Sequence, residues 1–503
     1  MRNAQGGNDM ILERTTPESV GIHSEGILKF LDLIEQRGAE LHGMMLLRHG
    51  KVCAEGWWKP YNPQSPHIMF SFTKALTSTA IGFAWQEGIL RLEDKLCDIF
   101  PDKLPQKPSE NLLACTVWDL LTMTCGHANE IRIWDSEEPD WVKAFLAHEF
   151  TYKPGEAFMY NTAGTNMLCA VLKRRTGQDL FEYLTPRLFN PLGISNVECF
   201  KLPDGTEMGG AGSRLKTEDM ARFIQFVAWQ GKWEGKQLLD SAWFEMASKK
   251  QVSTVSPVYD SANPDWRCGY GFQFWRCVPE KVFRADGAFG QYGVVFEEKD
   301  AVLILQSAAP NQQVQLTCAW EALLPAITDD AVLPESATAE ILKKRLENAE
   351  IVPMLSMRNS GAEERFGGKC YVPQGKMAGL ADFIGGIWLV NPQGGVTKSV
   401  QLAFSEAAAK LIFEQDNGTF EAEIGLNSHF SSFTLCGRTY GAVGRWRSDS
   451  RFEFEIRCAE SAGGRKMIFS FSDEKLVIES ESTLPISGGI ADKPYTKTEL
   501  QAK

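Results

Sequence analysis

The spacing of apolar residues predicts both helices and strands in the first two thirds of the chain. Apolar positions share one side of residues 25–37, as in an amphipathic helix, and residues 44–56 are typical of a hairpin turning at His49 and Gly50. Further helices are predicted over 116–123, 139–148, 163–176, 178–185 and 217–230, strands over 270–275, 293–296 and 301–305, and a last helix near 313–327. This order suits an α+β fold, in which distant parts of the chain complete one antiparallel sheet and helices pack on it.

The pattern changes after residue 330. Residues 337–348 predict a charged helix suited to a linker. Short strand signals then alternate with turn residues at 386–390, 398–404, 410–414, 418–424, 431–436, 442–446, 451–457, 466–471 and 475–480. Strands at such regular spacing indicate a β-sandwich or barrel. We therefore predict two domains, 1–330 and 331–503.

Composition narrows the function classes. A net charge of −12 without a local basic cluster argues against a nucleic-acid or anionic-membrane partner. No apolar run reaches the ~18 residues of a membrane span, and the polar first residues lack the apolar core of a signal peptide. Twelve cysteines without a C-x-x-C pair fit reduced thiols, and seven histidines show no metal-ligand spacing. We expect a cytoplasmic protein that acts on a small molecule without a metal or an organic cofactor.

The pattern S-x-x-K can supply a nucleophile and its base within one helical turn, and it begins at Ser71, Ser213 and Ser472. Ser213 follows a glycine-rich turn and Ser472 lies in a polar turn, so both are interpreted as structural. Ser71 opens a nearly uncharged apolar segment in which Lys74 is the only cation. Desolvation there would lower the lysine pKa toward the neutral amine that a general base requires. Taken alone, the pair also fits a helix N-cap serine with a snorkelling lysine.

A second candidate segment follows a Pro-Gly turn at residues 154–155 and contains Tyr160, Asn161 and Thr162 just before an apolar helix. A nearby lysine ammonium would lower the pKa of the phenol, so Tyr160 could act first as base and then as acid. The alternative is a buried tyrosine with one hydrogen bond, while Asn161 or Thr162 caps the helix.

A third candidate segment, residues 283–292, lies just ahead of the predicted strand 293–296. Its glycines would let a substrate carbonyl approach the backbone closely. Its amides could form one half of an oxyanion hole, with the Ser71 N–H as the other half. As an isolated motif the segment could equally be a hairpin turn.

Together, the order and spacing of these three segments resemble the serine β-lactamase and penicillin-binding-protein superfamily. The resemblance is closest to the class C-like branch, which also holds D-alanyl peptidases, esterases and 6-aminohexanoate-dimer hydrolases, and it extends over residues 17–325. It implies a β-lactamase/transpeptidase-like fold, with a helical subdomain beside a five-stranded antiparallel sheet flanked by helices. The remainder resembles the β-rich, lipocalin-like appendage of some relatives.

The resemblance also implies roles for individual residues. Ser71 would attack an acyl carbonyl, Lys74 and Tyr160 would manage its proton, and water would release the acyl-enzyme. The backbone amides of Ser71 and Ala288 would hold the oxyanion. The oxyanion and substrate-binding positions implied are Ala288, Gly287, Asp286, Thr162 and Asn161.

Two departures from the family pattern bear on the substrate. Where β-lactamases have Y-x-N, this chain places Thr162, so the amide is absent or displaced to Asn161. Where they have K-T-G or H-T-G, it has Ala285, Asp286 and Gly287, so the cation that binds a substrate carboxylate is missing. Arg284 lies nearby, but a strand would point it to the face opposite Ala285.

The sequence thus predicts a serine hydrolase that forms an acyl-enzyme on a small substrate. Penicillins and D-alanyl peptides are disfavoured, whereas neutral esters, or amides with a free amine that Asp286 could pair, are favoured. The alternatives are a β-lactamase, a D-alanyl carboxypeptidase or aminopeptidase, and a non-catalytic ligand-binding relative.

Overall fold

The computed structural model describes residues 12–132, 137–202, 204–351, 354–380, 384, 395–484 and 495–503. The chain forms two units, each with its own core. Unit 1 comprises Met1–Ala39, Met44–Glu55 and Ile68–Lys343, and unit 2 comprises Glu40–Gly43, Gly56–His67 and Lys344–Lys503. The predicted domain division at residue 330 stays a prediction.

A sheet with five long strands and one short strand carries the first part of the fold. The strands up to residue 307 are β1 (Leu41–Arg48), β2 (Lys51–Trp57), β3 (His67–Ile68), β4 (Glu198–Cys199), β5 (Ser213–Leu215), β6 (Lys232–Trp233), β7 (Lys236–Gln237), β8 (Trp275–Arg276), β9 (Val282–Gly287), β10 (Gln291–Phe296) and β11 (Ala301–Ser307). The main sheet has the order β2-β1-β11-β10-β9-β8, and β8 to β11 pair antiparallel. This confirms the five-stranded sheet and adds the two-residue β8 at its edge.

Helices pack on this sheet and form a separate helical layer. They are α1 (Ser24–Gln36), α2 (Thr73–Gln86), α3 (Leu96–Ile99), α4 (Glu110–Ala114), α5 (Val117–Leu121), α6 (Trp141–Ala147), α7 (Thr162–Thr176), α8 (Leu180–Leu184), α9 (Thr217–Ala228), α10 (Ser241–Ser248), α11 (Gln313–Cys318) and α12 (Leu324–Ala326). Helix α2 is buried along nearly all its length, because its residues are small, apolar or hydroxylic. It packs against α7 and α8 on one side, and α9 packs on β10 and β11.

The predicted strand over 270–275 is wrong. Tyr270 makes only isolated bridges, to Val252 and Trp275, and the chain then turns through Gln273, which has a φ of 66°. The side chains of Tyr270 and Trp275 belong to a buried aromatic cluster. The alternation of the sequence therefore reflects packing in an irregular segment, which local periodicity cannot distinguish from a strand.

A β-barrel forms most of unit 2. Its segments are the helices α13 (Ala337–Glu347, which begins in unit 1) and α14 (Ser360–Phe366) and the strands β12 (Cys370–Pro373), β13 (Thr397–Phe404), β14 (Ala408–Gln415), β15 (Gly418–Gly425), β16 (Ser431–Leu435), β17 (Arg438–Ser448), β18 (Arg451–Cys458), β19 (Gly464–Phe471), β20 (Lys475–Ser482) and β21 (Tyr495–Ala502). The strand order is β15-β14-β13-β12-β21-β20-β19-β18-β17-β16, and Gly425 of β15 pairs with Val443 of β17. That pairing closes nine strands into a barrel and leaves β16 attached to β17.

Alternating side chains fill the barrel core. In β14, for example, Ala409, Leu411 and Phe413 are buried while the residues between them are more exposed. Large aromatic residues such as Trp446 and Phe452 occupy the core. This period of two is why most barrel strands were predictable from the sequence.

The barrel predictions missed two strands, and one predicted strand cannot be compared. The strand predicted at 386–390 lies outside the described residues. Strand β12 is short and ends in proline, and β21 is mostly polar, so neither carries a clear alternating signal. No helix in the part of the chain that the structure describes combines the length and apolar character needed to cross a membrane.

Candidate active site

Ser71 and Lys74 meet at the start of a buried helix, as the sequence predicts. Ser71 lies in a 3₁₀ turn, Phe70–Phe72, that leads directly into α2, and its hydroxyl is 3.1 Å from the Lys74 Nζ. Phe70 has a φ of 47°, a conformation that non-glycine residues seldom adopt. Its ring meets that of Phe289 edge-on at 5.5 Å. A strained residue thus immediately precedes the candidate nucleophile and is held by packing.

The environment of Lys74 favours its neutral form. The side chain is only 1 % exposed, and its Nζ donates to the Gly210 carbonyl at 2.6 Å and the Thr162 hydroxyl at 3.4 Å. Desolvation lowers the pKa of Lys74 to about 7, although the nearby charges of Glu130 and Asp286 raise it. This agrees with the expected effect of burial, and the lysine is poised to exchange a proton near neutral pH.

The other two S-x-x-K matches have no such geometry. The Ser213 hydroxyl lies 2.7 Å from that of Thr73, in a buried contact between β5 and α2. Ser472 closes an exposed turn with the backbone of Lys475, whose Nζ extends to Glu499. Both serines make structural contacts, as their flanking residues indicate.

Tyr160 lies beside the reacting pair, but its pKa is shifted against the prediction. The Lys74 Nζ is 4.8 Å from the centre of its ring, and its phenol lies near the Ser71 side chain. Desolvation, and then the charge of Asp286, raises the pKa of Tyr160 well above its ordinary value. The predicted lowering by a lysine ammonium is therefore wrong, because burial and carboxylate charge outweigh any such effect. Tyr160 is therefore protonated at neutral pH.

Thr162 and Asn161 have different surroundings. Thr162 contacts Lys74 through its hydroxyl, so it belongs to the site. Asn161 is buried, and its side-chain oxygen accepts from the backbone N–H groups of Ala163 and Gly164, which caps α7. Its amide nitrogen faces His127 at 3.4 Å. The structure therefore assigns Asn161 the capping role and leaves no amide group of that residue directed at a substrate.

The end of β9 approaches the backbone just ahead of Ser71. A Cβ atom on Gly287 would lie 2.2 Å from the Met69 carbonyl oxygen, so only glycine fits there. Ala288 follows in the turn after β9 and is partly exposed, as is Ser71. The close approach brings the two segments together, while the oxyanion role of the Ser71 and Ala288 amides stays a prediction.

Asp286 is already paired within the protein. Its carboxylate accepts from the Arg284 Nε at 2.9 Å, and Arg284 is fully buried. The guanidinium also donates to the Asp265 carbonyl and stacks over Trp266 at 4.4 Å. The prediction that Arg284 points away from Ala285 fits this arrangement, since Arg284 and Asp286 share one face of β9. Asp286 is therefore not a free partner for a substrate amine, which corrects the expectation from the sequence.

Glu130 is a site residue that the sequence analysis missed. Its carboxylate accepts from the Thr162 backbone N–H at 3.3 Å, and its charge acts on both Lys74 and Tyr160. The only sequence signal was its position, three residues after His127, in a stretch that supports the family resemblance. Gly210, whose carbonyl accepts a hydrogen bond from Lys74, lies in the glycine-rich turn ahead of Ser213, and its sequence context offered no reason to place it in the site.

Aromatic rings adjoin these residues, and two of them also line a mostly polar cleft. Tyr160 stacks on Trp275 at 5.5 Å, and Trp275 also contacts Tyr259 and Trp266. A cleft of ~240 Å³ is lined by Tyr259, Ser261, Asn263, Trp266, Pro310, Asn311 and Gln312. Desolvation and the charge of Asp286 raise the pKa of Tyr259 to about 12, which places this wall near Asp286. Among the described residues, no three His, Cys, Asp or Glu side chains are grouped as metal ligands.

The sequence is similar to a known protein family and to one characterised esterase. A family model described as Beta-lactamase matches residues 30–323, more than half of the 503 residues. Lovastatin esterase from Penicillium rubens is 26 % identical over 157 residues. That match covers 26 % of this chain and 38 % of the esterase, so the chain spans well under half the length of this relative.

Solved structures give the fold. A provisionally assigned beta-lactamase from Bacteroides dorei superposes with a TM-score of 0.51 at 15 % identity, covering 60 % of this chain and 99 % of that one. A penicillin-binding protein homologue from Pyrococcus abyssi has a TM-score of 0.48 at 14 % identity, covering 95 % and 99 %. At 15 % identity, the similarity to the Bacteroides dorei protein is evidence for the fold alone.

Proposed function

The chain belongs to the beta-lactamase family, and on this premise we propose that it is a serine hydrolase that forms an acyl-enzyme on Ser71. The observation that carries the proposal is the buried Lys74 amine, 3.1 Å from the Ser71 hydroxyl and with a pKa of about 7. A serine becomes a good nucleophile only when an adjacent base accepts its proton. A lysine that is half neutral at physiological pH meets that requirement.

The hydrogen bonds of Lys74 suit a neutral amine. The Gly210 carbonyl can only accept, so one N–H is directed to it, and the second can be donated to the Thr162 hydroxyl. The nitrogen lone pair then faces Ser71 and accepts its proton as the oxygen attacks the acyl carbonyl. The C–O bond to Ser71 forms, and the carbonyl electron pair moves to the oxygen.

The remaining groups complete an acyl transfer. The backbone amides of Ser71 and Ala288 would stabilise the oxyanion, a contribution that is large because it acts in a partly desolvated site. Tyr160, which is protonated at neutral pH and lies near Ser71, would donate a proton to the leaving oxygen or nitrogen as the bond from that atom to the acyl carbon breaks and the carbonyl re-forms. Lys74 would then reprotonate the phenol. Water would hydrolyse the ester on Ser71 by the reverse path.

The charges favour esters or amides without a carboxylate beside the scissile bond. Arg284, the cation nearest to the third motif, is buried and bound to Asp286, so it is not offered to a substrate anion. The partly exposed rings of Tyr160, Tyr259 and Trp266 offer apolar surface to an acyl or leaving group. The similarity to a named esterase supports testing esters first.

A fluorophosphonate probe and a substrate panel test the proposal. We expect the probe to label Ser71, and Ser71→Ala to abolish both labelling and hydrolysis of short-chain p-nitrophenyl esters. Ser472→Ala is the matched control, because it removes an exposed serine of the same sequence pattern. It should keep full labelling and turnover.

The same panel decides between the alternatives. Nitrocefin turnover with no ester turnover would favour a β-lactamase, and release of D-alanine from a D-alanyl peptide would favour a peptidase. Turnover that survives Ser71→Ala would contradict the assignment of the nucleophile. A protein that neither reacts with the probe nor turns over any substrate would be a non-catalytic relative.

A further inference from the structure

Glu130 is a carboxylate at the site to which the proposed reaction gives no role. It lies on an exposed loop beyond α5, and its Oε1 accepts the Thr162 N–H at 3.3 Å. The hydroxyl of the same threonine lies 3.4 Å from the Lys74 Nζ. One residue therefore holds both the carboxylate and the catalytic amine, which fixes Glu130 beside the reaction centre.

The two carboxylates of the site differ in what they can bind. Asp286 is 9 % exposed and its charge is offset by Arg284, which is fully buried beside it. Glu130 is exposed, and within the described ranges its one hydrogen bond comes from a neutral backbone N–H and it has no ion pair. The negative charge available to a ligand at this site is therefore that of Glu130.

The charge of Glu130 reaches the reacting groups. Against the desolvation that lowers the pKa of Lys74, Glu130 is the first of two carboxylates that raise it. Glu130 also contributes to the raised pKa of Tyr160. A charge that acts on both groups must also act on a substrate atom bound between them.

We propose that Glu130 is a specificity-determining residue that binds a cationic group of the substrate, an ammonium or a quaternary ammonium. The inference rests on the proposed hydrolase function. It moves amine recognition from Asp286, where the sequence placed it, to a carboxylate that has no cation of its own. It also excludes substrate carboxylates from the same position, since two like charges would meet there.

The expected preference is modest. Glu130 is solvent-exposed, and exposed charge pairs are weakened by water and salt, so a cationic substrate should gain about five- to tenfold over a neutral one of the same shape. This gain should shrink as ionic strength rises. The aromatic rings beside Tyr160 also attract a quaternary ammonium through cation–π contact, in the wild type and in Glu130 variants alike, so the role of Glu130 is measured by the change in the preference.

Two isosteric ester pairs test the proposal, since the cation can belong to either half of the substrate. Choline butyrate is compared with 3,3-dimethylbutyl butyrate, and p-nitrophenyl 4-(trimethylammonio)butyrate with p-nitrophenyl 5,5-dimethylhexanoate. The readout is the ratio of kcat/KM for the cationic ester to that for the neutral one. We expect a ratio of at least about five to ten for at least one pair, falling about five- to tenfold in Glu130→Gln and further in Glu130→Lys.

A matched control and a binding measurement complete the experiment. Glu298→Gln removes the same charge from an exposed residue beyond the far end of β10, ~20 Å along the strand from the Gly287 end, and should leave the ratio unchanged. Binding of choline butyrate and of the trimethylammonio ester is also measured to Ser71→Ala, with and without Glu130→Gln. A cationic ester should bind about fivefold more weakly when Glu130 is replaced.

The outcomes separate the two proposals. Ratios that do not change in Glu130→Gln, or no measurable binding of either cationic ester to Ser71→Ala, would overturn the role of Glu130. If the fluorophosphonate probe does not label Ser71, no ester of either panel is hydrolysed and the cationic esters still bind through Glu130, the hydrolase function fails and the binding site stands.

Discussion

At the scale of single residues, burial of one lysine sets the chemistry. Lys74 is 1 % exposed and its pKa falls to about 7, while the pKa of Tyr160 rises well above its ordinary value. Both shifts come first from desolvation, which disfavours the ammonium and the phenolate alike. These opposite shifts fit the proposed roles, with Lys74 as the base and Tyr160 as a proton donor.

The pH dependence of turnover follows from the lysine. Its neutral form is the base, so kcat/KM for a neutral ester should rise with pH through an apparent pKa of about 7 and level off above it. Lys74→Arg should lower kcat/KM by at least ~10³-fold, because a guanidinium does not lose its proton in this range. A profile that is flat between pH 5.5 and 8.5 would contradict the role of Lys74 as base.

At the scale of elements, the site depends on how closely β9 approaches the turn before α2. Gly287 ends β9 against the Met69 carbonyl oxygen, two residues ahead of Ser71. On the opposite side, α7 begins at Thr162 because Asn161 caps it, and this brings the threonine hydroxyl to Lys74. The ends of three elements, rather than one motif, thus form the site.

A methyl group at the end of β9 tests this dependence. Gly287→Ala places a Cβ 2.2 Å from a backbone oxygen, so strand and turn must separate, and we expect kcat/KM to fall by about a hundredfold. Gly164→Ala is the control, because its Cβ would make only ordinary contacts, the nearest at 3.6 Å from the Cys125 Sγ. The measurements are kcat/KM for a p-nitrophenyl ester and the rate at which the fluorophosphonate probe labels Ser71, each compared between the two variants. Equal rates for the two would show that the close approach is not needed.

At the scale of the whole molecule, each unit buries a histidine that must stay neutral. In unit 2, His42 Nε2 donates to the Glu40 carboxylate at 2.9 Å, so its Nδ1 accepts from His67 at 2.8 Å. Arg457 pairs with Glu40, and Tyr61 stacks on His42 at 3.6 Å. Desolvation, against the charge of Glu40, lowers the pKa of His42 to about 4.

His127 has the same property in unit 1. Desolvation, and then the charge of His148, lowers the pKa of His127 to about 3. A histidine that is neutral only in the folded state makes folding depend on pH.

This predicts a loss of stability in acid. Between pH 6.5 and about 4 the unfolded chain binds a proton at His42 that the folded unit 2 does not, so the free energy of unfolding falls as pH falls. The slope from one such group is at most about 1.4 kcal/mol per pH unit. The free energy of unfolding of unit 2 is measured by brief proteolysis of the whole protein in a urea series at pH 7, 5.5 and 4.5, with the release of peptides from the barrel as the readout.

The histidine variants make the measurement specific. His42→Gln should flatten the pH dependence of unit 2 within this window, because it removes the titrating group. His429→Gln, at a side chain that is 65 % exposed, should leave the wild-type slope intact. If His42→Gln keeps the full slope, the acid sensitivity of unit 2 has another origin.

Features that depend on local spacing along the chain could be predicted from the sequence. The Ser71 and Lys74 pair, the segment around Tyr160, the turn after residue 286 and the alternating barrel strands could all be predicted, since helical and strand periods appear directly in the residue order. The segment 270–275 and the strands β12 and β21 could not, because packing or pairing with distant strands overrides a weak local pattern.

The protonation states and partners of the site residues, in contrast, depend on contacts between distant segments of the chain. The carbonyl that accepts a hydrogen bond from the Lys74 amine belongs to Gly210, 136 residues away. The pKa of the Tyr160 phenol depends on burial and on the charge of Asp286 in β9. Pairing with Arg284 offsets the charge of Asp286, and the hydrogen bond from the Thr162 N–H holds the Glu130 carboxylate beside the site. Desolvation and charge pairing act through space between residues far apart in the chain, so the order of residues named the reacting groups but could not give their protonation or their partners.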